Sequence, residues 1–144
     1  DMIGVIEPIA SQVSPQVFNH VLLKNYQSLF KHIHTMKAYS MFHICGNATQ
    51  IIEPMCQTGA NILSLDEMVH LPEVQNITNQ HDVLLQGNIP VTSQLLNGTP
   101  DTIQNYVTNL FLTLPDPESL ILSPGCDLPW NTPIKNIKAV IEVI

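Results

Sequence analysis

The chain has 144 residues, 44% of them hydrophobic and only 12% charged, with a formal net charge of −7 and no arginine. That length fits one domain, 1–144, with a sizeable core. Clustered positive charge for a nucleic acid is missing, and so is the planar fork for bidentate recognition of a sulfonate, carboxylate or phosphate. The low charged fraction leaves surface that suits contact with another segment or chain.

Taken in chain order, short apolar runs alternate with amphipathic stretches. A strand is expected over 2–8 and a long helix over 14–38, with Ser14 as N-cap and Pro15 at its first position. A second strand spans 39–45, followed by a helix over 49–59 that ends at Gly59. Then come a strand at 61–67, a short helix at 71–78 and a strand at 82–90. The helix at 99–114 is capped by Thr99 with Pro100 behind it. A fifth strand at 119–125 precedes a last helix at 132–144 with the same Thr-Pro start.

Five strands alternating with five helices predict a parallel α/β sheet built of repeated βα units. The strands are near-continuous apolar runs, as covering on both faces requires. Five units are too few for a complete (β/α)₈ barrel. Two architectures remain open: an open five-stranded sheet, or the C-terminal five units of a TIM barrel. The second leaves two edge strands free, and such edges invite self-association. The chain starts at Asp1 without a methionine, which reads as a piece of something longer.

Cysteine is sparse: Cys45, Cys56 and Cys126. An odd, scattered set is no disulfide framework and suits a reducing cytoplasm. No run approaches the length of a membrane span, and no signal peptide is visible. Three Asn-x-Thr sequons, at Asn47, Asn76 and Asn97, read as chance in an Asn- and Thr-rich chain.

The polar and Gly/Pro signals gather where strands end, which is where α/β folds carry their chemistry. His43 and Cys45 lie two apart on a strand and therefore share a face. Cys126 ends the fifth strand. If the sheet curls, the three form a metal site with one position open, the pattern of a catalytic zinc. A chain with six His and three Cys yields about 0.13 His-x-Cys pairs by chance, so spacing alone leaves metal site and accident both standing.

The segments HICGNAT, LSLDE, LLQGNIP, LLNGTPDTI and LILSPGCDLPWNTPIKNIKAVIE together resemble the C-terminal part of the uroporphyrinogen decarboxylase superfamily. They are most similar to its zinc-dependent corrinoid:coenzyme M methyltransferases. The resemblance covers nearly the whole chain and keeps the order of all five units. It implies a TIM barrel with zinc on His43, Cys45 and Cys126 at its C-terminal mouth. It also implies methyl transfer from a methylated corrinoid carried by a partner protein to the thiol of coenzyme M. The chain departs from the pattern by starting near the middle of the barrel and by offering no arginine to a sulfonate.

Other residues carry two readings each. Glu7 is a fourth zinc ligand or proton acceptor, or else a loop carboxylate before Pro8. Asp66 orients His43 or contacts substrate, or else caps a helix; Glu67 faces solvent. Asn47 and Asn88 are substrate-binding candidates, or turn residues. Gly46 and Gly125 let the ligand loops bend. Trp130 lines the mouth or packs on the last helix. Cys56 is expected in the core, and His32 and His34 on the surface. The rival functions are transfer to another thiol, porphyrinogen decarboxylation, and a non-catalytic barrel fragment.

Overall fold

A computed structural model describes residues 1–143. Its five strands are β1 (Met2–Glu7), β2 (Tyr39–Ile44), β3 (Ile62–Leu65), β4 (Leu84–Ile89) and β5 (Leu120–Pro124). All neighbours pair in parallel, and the sheet order is β1-β2-β3-β4-β5. Each new strand therefore adds on the same side of the last. A doubly wound open sheet reverses order at a switch point, and this one never does. The progression is that of a barrel wall, with β1 and β5 as its two edges, and it decides between the two architectures left open by the sequence.

Five helices cover one face. The first, α1, runs over 15–35. Ser14 caps it by accepting from Val17 N, and a wider turn at Phe18–Leu22 interrupts it before the regular stretch Leu23–Thr35. The others are α2 (Ile52–Cys56), α3 (Leu71–Gln80), α4 (Pro100–Thr113) and α5 (Ile134–Ile141). Thr99 caps α4 through a reciprocal pair of hydrogen bonds with Thr102. Two expectations move. The helix over 49–59 shrinks to α2, because a tighter turn at Thr49–Ile51 precedes it. The last helix starts after Pro133 rather than at Thr132, whose hydroxyl instead donates to Pro129 O. Ile144, the end of that expected helix, lies outside the described residues. A helical turn at Val91–Leu96 follows β4 in a segment to which the sequence assigns no element.

Strand alternation sorts the side chains. Val5, Phe42, Ile44, Leu63, Leu65 and Leu85 face the helices and join the main core. There the rings of Tyr26 and Phe30 on α1 meet Phe42 on β2, with centroids 4.5 and 5.3 Å away. This ring cluster fixes α1 against the sheet. A smaller core of Ile89, Leu95, Ile103, Val107 and Ala139 fixes α4 and α5. Asn136 secures α5 by donating to the carbonyls of Leu95 and Gly98. Cys56 is buried as expected, and its thiol is pushed up to about 12 chiefly by burial. No helix among the described residues is long and apolar enough to cross a membrane.

The other face of the sheet is the barrel interior. One row across it reads Ile6, His43, Ser64, Gln86 and Ile121 in register. Because Phe42 is fully buried against the rings of Tyr26 and Phe30, Phe42→Ala is expected to destabilise the fold by about 3–5 kcal/mol. A shift in the denaturant midpoint of unfolding checks this.

Candidate metal centre

His43 sits at the C-terminal end of β2 because a short apolar strand brings it there with its ring turned inward. Its Nδ1 lies 3.1 Å from both the carbonyl and the hydroxyl oxygen of Ser64 on β3. The carbonyl accepts only, so Nδ1 carries the proton and Nε2 is left with its lone pair. That lone pair faces Cys45, whose Sγ is 3.3 Å away. Cys126, just past β5, completes the group: the ligand atoms of His43, Cys45 and Cys126 all lie within 4.8 Å of one another. A neutral His and two thiols so placed match the donor set of a tetrahedral zinc site with one free position.

Two loops from non-adjacent strands must meet for this. The loop after β3 brings them together. Asp66 accepts from Gly46 N at 2.9 Å through one oxygen and from Met68 N at 3.0 Å through the other. Gly46 has φ of +81°, a conformation that favours glycine, and it turns the chain directly after Cys45. On the other side Gly125 packs so closely that a Cβ there would stand 2.6 Å from Glu67 N. The Glu67 carboxylate accepts from Val91 N, tying in the loop after β4. Asn88 donates to the carbonyls of Asp66 and Val69, which holds the bracing loop itself.

These contacts sort the sequence expectations. His43, Cys45 and Cys126 are brought together. Asp66 does not orient His43; Ser64 occupies that place, and Asp66 bonds the ligand loop instead. Glu7 stays outside the cluster. It lies on the helix-facing side of β1, where its carboxylate accepts from Tyr26 Oη at 2.8 Å and Ile9 N at 2.9 Å. Asn88 is buried and acts as a tie within the wall. Asn47 accepts from Thr49 N and lines a cleft of about 650 Å³ beyond the ligand loop. None of His43, Cys45 and Cys126 lines that cleft. A smaller cavity of about 210 Å³ is lined by His43 and Cys126 together with Ser64 and Gln86. Glu67 is exposed as expected, and Trp130 is 98% exposed, so it does not pack on the last helix among the described residues.

Ser64 and Gln86 were not legible as site residues without the register. The available signal was a polar residue interrupting an apolar strand at an inward position.

The chain is a partial parallel barrel that gathers a possible three-residue metal site, His43, Cys45 and Cys126, at the C-terminal ends of its strands. The whole of residues 1–144 matches the family model described as Uroporphyrinogen decarboxylase (URO-D), and the chain belongs to that family. The chain is 26% identical to the methylcobamide:CoM methyltransferase MtbA of Methanosarcina acetivorans, over 99% of its own length and 41% of the relative's. It is 28% identical to the methylcobamide:CoM methyltransferase MtaA of Methanosarcina barkeri, over 98% and 40%. A solved methyltransferase from Methanosarcina mazei superposes with a TM-score of 0.84 at 26% identity, covering 99% of this chain and 41% of that one. The chain thus spans about two fifths of the length of these relatives.

Burial raises the Cys45 thiol, and the neighbouring Cys126, then Asp66 and Asp127, raise it further. The metal-free site therefore holds a protonated Cys45 at neutral pH, and a metal must displace that proton. Apparent affinity for zinc or cobalt is expected to rise as pH rises from 6 to 8, read by competition with a chelator. Asp66→Ala frees the Gly46 N–H beside Cys45 and is expected to weaken binding by about 10–100-fold in the same assay.

Proposed function

We propose that this chain carries the thiol-activating centre of a methyltransferase that moves a methyl group from a methylated corrinoid protein to the thiol of coenzyme M. The observation that carries this reading is the convergence of His43 Nε2, Cys45 Sγ and Cys126 Sγ within 4.8 Å. The relatives' names, which specify methylcobamide and CoM, support it.

Zinc held there supplies a Lewis acid that keeps a substrate thiol deprotonated but nucleophilic at neutral pH. The chain's own residues set the conditions. Cys45 and Cys126, as thiolates, cancel the charge of a divalent ion, so an added sulfur retains its electron density. Ser64 holds the His43 ring in the tautomer that presents Nε2. Asp66 and Gly46 fix the turn that carries Cys45. The open side of the mouth, where Cys126 is exposed, leaves room for a fourth donor and for the carrier protein to approach. The transfer forms one S–C bond and breaks one Co–C bond. The bonding pair stays on cobalt, and the thiol proton leaves to solvent.

The test is the zinc content of the purified protein beside Cys126→Ser. Near-stoichiometric zinc in the parent, lost in the variant, is expected. Equal zinc in both, or none in either, contradicts the reading.

A further inference from the structure

The barrel-facing row that holds His43 also holds Gln86, two strands away on β4 and in register with Ser64. Gln86 interrupts an otherwise apolar stretch beginning at Leu84 and Leu85, and it lines the same cavity of about 210 Å³ as His43 and Cys126.

The polar groups around it are otherwise committed. Ser64 Oγ is on the His43 ring, and Ser123 Oγ donates to Pro124 O. Asp127 offers only a carboxylate, which accepts and repels anions. The Gln86 carboxamide has no hydrogen-bond partner among the described residues. It is therefore the uncharged donor left in the cavity, with two N–H groups to give.

We propose that Gln86 is a specificity-determining residue, whose carboxamide donates to an oxygen-bearing tail of the acceptor thiol while the sulfur occupies the metal's open position. This rests on the thiol-activation reading above and adds to it the residue that reads the acceptor's tail. A neutral donor suits this site, because the metal centre already balances its own charge.

The experiment uses the cobalt(II)-loaded chain and follows the sulfur-to-cobalt absorption band during titration with 2-mercaptoethanesulfonate and, separately, with ethanethiol, which lacks the tail. Gln86→Leu is expected to weaken 2-mercaptoethanesulfonate about tenfold, as for loss of a hydrogen bond to a charged group, and to leave ethanethiol within about twofold. Gln86→Glu, nearly equal in size, is expected to weaken the sulfonate at least as much, because it sets a carboxylate against it. Equal effects on both thiols, or none on the sulfonate, overturn the proposal while leaving thiol activation intact. Cobalt binding with no thiol response in the parent overturns both.

Discussion

The candidate centre depends on a brace. Its ligands come from β2 and from the end of β5, strands that do not touch, and the loop after β3 spans the gap. One carboxylate, Asp66, holds the turn beyond Cys45 by a backbone N–H. The next residue, Glu67, presents a backbone face so close to Gly125 that no side chain fits between them. Asn88 holds the bracing loop from beneath. Each hydrogen bond of the brace joins a side chain to a backbone group, so the spacing of His43, Cys45 and Cys126 follows from the curl of the sheet and the turns at its rim.

The electrostatics follow from the same placement. Cys45 is raised by burial and by the negative neighbours the brace brings close. Such surroundings disfavour the Cys45 thiolate unless a cation compensates. The fold thus places two cysteines and one oriented imidazole where a cation would offset that cost. Ser64 ensures that the imidazole contributes a lone pair and not a proton.

Much of this was legible in the sequence. Period and punctuation gave the βα alternation, and the capping residues Ser14 and Thr99 marked helix starts correctly. The pair His43 and Cys45 shares a face, as any two strand residues two apart must. The strand order that makes the sheet a barrel wall was not legible, because it is a property of long-range pairing. For the same reason the partners were misassigned. Asp66 lies nearer to Cys45's turn than to His43, and Glu7 falls on the helix side by one step of alternation, where Tyr26 takes it up. Ser64 and Gln86 reach the site only through the parallel register, which no local pattern encodes. Short helices failed for a local reason: the tight turn at Thr49–Ile51 and the wide one at Val91–Leu96 have no strong sequence signature.

X-ray absorption at the zinc edge of the metal-loaded chain tests the central claim most directly. The account requires two sulfur ligands at about 2.3 Å and one nitrogen at about 2.0–2.1 Å, with a third sulfur appearing when a small thiol is added. A shell of nitrogen and oxygen alone, or a sulfur count that does not rise with thiol, would contradict it.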